Sequence, residues 1–242
     1  MKRGFTLIEL VVTMAVLALL TLAATPSISD WLRNARLRNV TETVQNGLQQ
    51  ARNEAVRRNR QITFWLVNLP TPGTMDADCT LTNGGDANGW VISVDSPAGE
   101  CGTADSLTVS PMIVARGSLG QGGGAIGVTA SNSGSGAAAS SVTFDGLGRV
   151  VTSAANPAAN LNRVVVAYST ASEGDRPLQL DLDASGGMRR CDQSIQDADD
   201  ARACPGAGDP DDDVDDGGGD GGGDGAGAGD GTDQSANTGS GG

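Results

Sequence analysis

The sequence contains no histidine in its 242 residues. The chain therefore lacks the side chain that most often serves as a general base near neutral pH, and it lacks a common metal ligand. Its four cysteines include no closely spaced Cys-x-x-Cys pair, which counts against a zinc site. These absences argue against an enzyme, and we expect no catalytic residue, no cofactor and no metal.

Aromatic residues are also scarce, at 3% of the chain, whereas glycine is abundant at 36 residues. Any hydrophobic core is therefore predicted to be small and mainly aliphatic. The four cysteines suggest disulfides formed in an oxidising compartment such as the periplasm.

Basic residues are missing from the C-terminal segment 205–242, which holds fifteen glycines and ten aspartates. The net charge of −13 is thus mostly a property of this segment, and the rest of the chain carries only −3. Val214 is its only large aliphatic residue, so the segment cannot bury a core and is predicted to be disordered. Its spacing fits neither an EF-hand nor a glycine-rich calcium repeat.

A long apolar run begins close to the N-terminus. Sixteen of the twenty residues in 5–24 are apolar or alanine, and as a helix they would span about 30 Å, the thickness of a bilayer core. Lys2 and Arg3 precede the run, which predicts a cytoplasmic N-terminus and a single membrane pass. Glu9 is the one carboxylate in the run, and its cost there marks it as a functional residue in need of a partner.

Helical periodicity continues beyond Pro26. The pattern predicts one helix from about Thr6 to Arg60, bent near Pro26, with a stripe expected to pack on a sheet. The stripe comprises Ile28, Trp31, Leu32, Ala35, Val40, Val44, Leu48, Ala51 and Ala55. Seven arginines (33, 36, 38, 52, 57, 58 and 60) also lie here, and we interpret them as solvated surface in preference to a nucleic-acid or lipid face.

Short β-branched segments separated by turn residues follow the helix, and they predict a mostly antiparallel sheet. The expected strands are 62–67, 90–94, 107–109, 112–116, 126–129, 141–144, 150–152, 164–168 and 178–182. A hairpin turn is predicted at 145–148, and a loose loop around one weak strand at 117–139. The fold class is therefore α+β, with a long N-terminal helix packed on a β-sheet head.

The hexapeptide from Gly4 to Glu9 (GFTLIE), with its basic leader and following apolar run, resembles the signal of type IV prepilins. The resemblance implies cleavage between Gly4 and Phe5 by a prepilin peptidase, and N-methylation of Phe5. It also implies assembly into a filament, in which Glu9 would contact the N-terminal amine of a neighbouring subunit.

Later segments (LQQARNEAVRRNRQITFWL, GWVISVD, VTFDGLGRV and LQLDLDASGGMRRCD) resemble the GspH/FimT group of minor pilins and pseudopilins. The resemblance implies an inner-membrane protein with a periplasmic head that joins other pilins or pseudopilins. It would act at or near the tip of a type IV pilus or a type II secretion pseudopilus and help to initiate assembly. The expected divisions are a leader (1–4), a transmembrane helix (5–26), a pilin-like domain (27–204) and the acidic tail (205–242).

DNA uptake is the alternative function, because some members of this group bind DNA through a Gly-Arg-x-Arg motif. Here Arg189 aligns with the second arginine and Arg190 follows it, but Gly187 replaces the first. Two or three arginine contacts to phosphate would give weak, salt-sensitive binding. We regard Arg189 and Arg190 as possible DNA contacts, with an exposed strand end as the favoured interpretation.

The four cysteines allow three pairings. Proximity in sequence favours Cys79 with Cys101 and Cys191 with Cys204. Each bond would stabilise the fold by about 3 kcal/mol in the chain-entropy model.

Overall fold

A computed structural model of the chain describes residues 4, 6–119, 126–152 and 160–205, without the side chains of 22–27. One helix, α1 (Leu7–Arg58), dominates it. Thr6 caps its first turn, and Asn59 ends it in the left-handed conformation (φ 48°). The predicted helix is confirmed to within two residues at its C-terminal end. It runs continuously through residue 26, and the bend there remains a prediction.

In the described part of the chain, ten strands follow the helix, and all the pairings between them are antiparallel. They are β1 (Ile62–Asn68), β2 (Thr80–Leu81), β3 (Gly89–Ser93), β4 (Ile113–Ser118), β5 (Ile126–Ser131), β6 (Ser141–Phe144), β7 (Val150–Val151), β8 (Arg163–Tyr168), β9 (Leu178–Leu182) and β10 (Met188–Asp192). One sheet has the order β4-β3-β1-β6-β7, with β2 also paired to β1, and the other has the order β10-β9-β8-β5. The α+β prediction is confirmed, although the described strands form two sheets where one was expected.

The strand predictions fail at three places. The expected strand 107–109 is wrong, because this segment forms turns held by Ser106, whose hydroxyl accepts from the backbone N–H groups of Thr108 and Val109. Strands β2 and β10 were not anticipated. The turn at 145–148 is confirmed, with Gly148 at φ 78° and a hydrogen bond from the Arg149 side chain to the Asp145 carboxylate.

The main core lies between the second half of α1 and the two sheets. A stripe of the helix is buried there, comprising Leu37, Val40, Val44, Leu48, Ala51 and Ala55. Gly47 lets the helix approach closely, since a Cβ at this position would lie 2.8 Å from the Phe64 ring. That ring stacks on Trp90 at 5.9 Å between centroids. The closeness of the helix to the sheet therefore depends on one glycine and two aromatic rings.

Strand β1 is buried on both faces. Phe64 faces the helix core, while Trp65 and Val67 contribute to a second cluster on the opposite face. The disulfide between Cys79 and Cys101 belongs to this second cluster, with its Cα atoms 6.0 Å apart. It therefore ties the long loop after β1 to the outer face of the sheet.

A second disulfide joins Cys191 of β10 to Cys204, with Cα atoms 4.9 Å apart. The two bonds are the pairings that proximity in sequence favours. The Cys191–Cys204 bond closes the last described part of the chain against the edge of the second sheet.

Candidate assembly surface

The first half of α1 carries a continuous apolar surface that the head does not cover. Between residues 7 and 20, ten large apolar side chains are at least half exposed. They are Leu7, Ile8, Leu10, Val11, Val12, Met14, Val16, Leu17, Leu19 and Leu20, of which the least exposed is Val16 at 50%. We call residues 7–20 the apolar helix. An apolar surface of this extent normally marks contact with a membrane or with another protein.

The predicted stripe of α1 is only partly buried. Its first three large residues are exposed: Ile28 at 57%, Trp31 at 63% and Leu32 at 45%. The prediction that they pack on the head is wrong, because Leu37 is the first large apolar side chain of α1 that is buried. We call Ile28, Trp31 and Leu32 the apolar collar, and it lies between the apolar helix and the head.

Glu9 closes a capping box at the start of the helix. Its Oε2 accepts hydrogen bonds from the backbone N–H and from Oγ1 of Thr6, both at 3.1 Å, and Thr6 Oγ1 accepts from the Glu9 N–H at 3.3 Å. The carboxylate thus folds back onto the residue that precedes its own helix. An intersubunit contact of Glu9 would have to share or replace these local bonds.

Within the described residues, no helical stretch is both long and apolar enough to qualify as a membrane span. The leader residues 1–3, Phe5 and the acidic tail from residue 206 lie outside the described residues. Of the expected cleavage site, Gly4 is described and is exposed.

Directly after the collar in sequence, an ion pair between Arg33 and Asp175 fixes the head to the helix, and we call it the clamp. The Arg33 guanidinium donates to both carboxylate oxygens of Asp175, at 2.7 and 2.6 Å, and lies 3.8 Å from the centre of the Tyr168 ring. The Tyr168 hydroxyl donates to the Arg33 carbonyl at 3.2 Å. The Asp175 side chain is only 6% exposed, and the Arg33 hydrogen bonds hold the pKa of its carboxyl below the usual value.

A second arginine joins two hairpin turns to the helix. Arg52 Nε donates to the Gly148 carbonyl at 3.0 Å, and Nη2 reaches the Ser185 carbonyl at 3.4 Å. The turns come close here, since a Cβ on Gly186 would collide with the Gly148 carbonyl oxygen. Arg33 and Arg52 are therefore structural clamps, which corrects their interpretation as solvated surface. Their partners lie far away in sequence, so no local pattern could have revealed these roles.

The two arginines proposed as DNA contacts lie on β10 and both have partners. Arg189 donates to the Ala203 carbonyl at 3.1 Å, and Arg190 lies 3.6 Å from the Glu42 carboxylate. Gly187, which replaces an arginine of the DNA-binding motif, donates its N–H to Asp183 at 2.9 Å. A negative charge thus stands beside the position where the motif has a positive one, and the site lends the DNA alternative no support.

Among the described residues, no group of three or more Cys, Asp or Glu side chains is arranged to hold a metal ion. The prominent features are therefore an uncovered apolar helix, a capped carboxylate at its start and a clamped head.

Two family models match the chain. The prokaryotic N-terminal methylation motif matches residues 1–25, and the type II transport protein GspH matches residues 40–186. This chain belongs to the GspH family. GspH-family proteins are minor pilins or pseudopilins, a structural class, which agrees with the resemblance read from the sequence.

Among solved structures, this GspH-family chain is similar to the type IV minor pilin FimU of Pseudomonas aeruginosa (strain PAO1) in two crystal forms. Sequence identity is 18% in both comparisons. The first covers 66% of this chain and 90% of FimU with a TM-score of 0.39, and the second covers 65% and 94% with a TM-score of 0.36. No curated protein sequence matches the chain significantly.

Proposed function

We propose that this GspH-family protein enters a type IV pilus or a type II secretion pseudopilus through the apolar helix, and acts at or near the tip to initiate assembly. The observation that carries the proposal is the exposed apolar surface of α1 in the apolar helix and in the collar, which the head leaves uncovered. Burial of such a surface between subunits would stabilise a filament by roughly 25 cal/mol per Å².

Before assembly, the same helix would anchor the subunit in the inner membrane, with the head in the periplasm. The basic residues Lys2 and Arg3 support this orientation, and two disulfides in the head suit an oxidising compartment. The methylation motif at 1–25 supports cleavage after Gly4 and N-methylation of Phe5. Mass spectrometry of the native N-terminus tests this step, and Met1 retained in assembled material would contradict it.

Glu9 is the proposed polar contact of assembly. Cleavage frees the amine of Phe5, and pairing of that amine with the Glu9 carboxylate of a neighbouring subunit would neutralise two charges in a low-dielectric filament. Among the described residues, the Glu9 carboxylate accepts hydrogen bonds from Thr6 alone, and none of them forms an ion pair with it.

Two substitutions separate the charge of Glu9 from its capping role. Glu9→Gln keeps a side chain that can close a capping box with Thr6 but removes the charge, whereas Glu9→Leu removes both. We expect both variants to lose incorporation beside other pilins, and both heads to keep their wild-type thermal midpoint. The matched control is Glu42→Gln, which changes an exposed carboxylate in the second half of α1.

Incorporation is measured as the amount of variant in sheared filaments, relative to the amount in the membrane. Wild-type incorporation of Glu9→Gln would show that capping alone accounts for this residue, and would contradict the charge contact. The tip position is tested separately by deletion of the gene, which should reduce the number of filaments without shortening them.

A further inference from the structure

A basic pocket lies between α1 and the outer edge of the second sheet. Its cavity of about 290 Å³ is lined by four arginines that come from four segments of the chain. Arg38 belongs to α1, Arg176 precedes β9, Arg190 lies on β10, and Arg202 precedes the second disulfide. We call this cavity the arginine pocket, and Asn34 and Asp192 also line it.

Backbone hydrogen bonds fix the segments that carry Arg176 and Arg202. Asn34 accepts from the Arg176 backbone N–H at 2.8 Å and donates to the Gly174 carbonyl at 2.8 Å, which fixes that loop to the helix. On the opposite side, the Asp192 backbone N–H donates to the Arg202 carbonyl at 2.8 Å, next to the Cys191–Cys204 disulfide. The backbone frame of the pocket is therefore preformed, and binding would have to order only the exposed arginine side chains.

The positive charges of the pocket are incompletely neutralised. Arg202 is paired with Asp200 at 2.7 Å, and Arg190 has a longer contact of 3.6 Å with Glu42. In the part of the chain that the structure describes, the guanidinium groups of Arg38 and Arg176 have no hydrogen bond or ion pair. Two arginines with ten N–H donors between them thus face the cavity without an acceptor.

The size and the surroundings of the pocket favour a compact anionic group. Arginine binds a carboxylate through two parallel hydrogen bonds, so a cavity of this size suits one or two acidic side chains. The adjoining disulfide loop carries the carboxylates of Asp192, Asp197, Asp199 and Asp200. An extended polyanion such as a DNA duplex, with a charge every ~1.7 Å, would meet these carboxylates as it crossed the surface.

From this arrangement we infer that the arginine pocket binds a carboxylate-bearing segment of a partner polypeptide. This contact goes beyond assembly through the apolar helix and does not depend on it. The partner would present two or more aspartates or glutamates close together, and binding would weaken with salt because the pocket is open to solvent.

Fluorescence anisotropy of a labelled acidic peptide, DDDVDD, tests the inference on the detergent-solubilised full chain. The neutral peptide NNNVNN is the ligand control. Binding is measured to the wild type and to a background in which Asn replaces the six aspartates of 209–216, so that the protein's own carboxylates do not compete with the probe. We expect saturable binding of DDDVDD, at least in the second background, and none of NNNVNN.

The diagnostic variant is Arg38→Gln/Arg176→Gln, made in the background that binds. It should lose at least about tenfold in affinity, since each lost charge-assisted bond is expected to weaken binding severalfold. The matched control is Arg57→Gln/Arg60→Gln, which removes the same charge at the C-terminal end of α1, where Arg57 lies about 28 Å from Arg38 along the helix axis. The control should stay within about twofold of wild type, because at this distance the charges are screened.

Three results would overturn the inference. The first is no saturable binding of DDDVDD in either background. The second is equal loss of affinity in the two double variants, which would indicate a non-specific charge effect. The third is a DNA duplex that displaces the peptide at a lower concentration, counted per negative charge, than unlabelled DDDVDD does. That result would make the pocket a nucleic-acid site.

Discussion

The first half of α1 is much richer in apolar residues than the second, and the two halves have opposite surroundings. From Leu37 to Ala55 the apolar stripe is buried against two sheets, whereas residues 7–20 and the collar leave their apolar side chains exposed. The polar contacts differ in the same way. Arg33 and Arg52 connect the second half to the head over more than 90 residues of sequence, while the described side-chain hydrogen bonds of Glu9 go only to Thr6, the N-cap of the same helix. One helix therefore serves the fold with its second half and remains available for assembly with its first.

The largest expected effect comes from truncating a leucine in each half. Leu48→Ala should lower the free energy of unfolding by about 2–5 kcal/mol, because Leu48 is 1% exposed and its removal leaves a cavity. Leu17→Ala, at 63% exposure, should change it by less than about 0.5 kcal/mol. Urea titration of the detergent-solubilised chain, followed by tryptophan fluorescence, measures both. Equal losses would mean that the first half also contributes to the fold.

The close approach of the second half to β1 is tested at Gly47. Gly47→Val should destabilise the head by about 1–3 kcal/mol, since its Cβ would lie 2.8 Å from Phe64 and 3.3 Å from Trp90. The control is Gly85→Val, at a glycine where an added Cβ meets no atom within 4 Å. Thermal midpoints compare the two variants, and a Gly47→Val midpoint at or above that of the control would refute the tight contact.

A smaller, pH-dependent effect is expected at the Arg33–Asp175 clamp. The pKa of Asp175 is lowered by the Arg33 hydrogen bonds from the model-compound value of 3.8. Its contribution to stability is therefore fully present above about pH 3.8 and is lost as the pH falls through the folded-state pKa. Asp175→Asn should lower the free energy of unfolding by about 2 kcal/mol at pH 7, and by less at pH 3.

The control for the clamp is Asp105→Asn, which removes an ion pair with Arg116 whose carboxylate is 62% exposed. Its effect at pH 7 should be at most about 1 kcal/mol. Urea midpoints at the two pH values check both variants. If the urea midpoints of wild type and Asp175→Asn differed more at pH 3 than at pH 7, the expected pH dependence of the clamp would be contradicted.

Local sequence patterns predicted the elements that are determined by residues close together in sequence. The helix was visible from its 3.6-residue period, and the turn at 145–148 from its Asp and Gly residues. Strand β10 was missed because its sequence, MRRCD, is polar and is held in place by pairing with β9 and by the second disulfide. The false strand at 107–109 has β-branched residues, but Leu107 and Val109 are about 60% exposed there and find no partner strand among the described residues.

Contacts between residues far apart in sequence could not be predicted from local sequence patterns. The division into two sheets depends on pairings such as β5 with β8, which are separated by more than 30 residues. The exposure of the collar was also unpredictable, because periodicity shows that a face is apolar and does not show what covers it. The roles of Arg33 and Arg52 depend on acceptors that lie 142 and 96 residues away.

Site-specific photocrosslinking tests the division of α1 most directly. A photoreactive amino acid is placed at Leu17 in the apolar helix, at Trp31 in the collar, or at Leu147 on the head, which are 63%, 63% and 70% exposed. The three sites are equally accessible and apolar, so they differ mainly in their place in the fold. Crosslinks to other pilins or pseudopilins are then counted in assembled material. We predict adducts at positions 17 and 31 that clearly exceed those at 147; a yield at 147 equal to or above both would contradict the assignment of the first half of α1 to assembly.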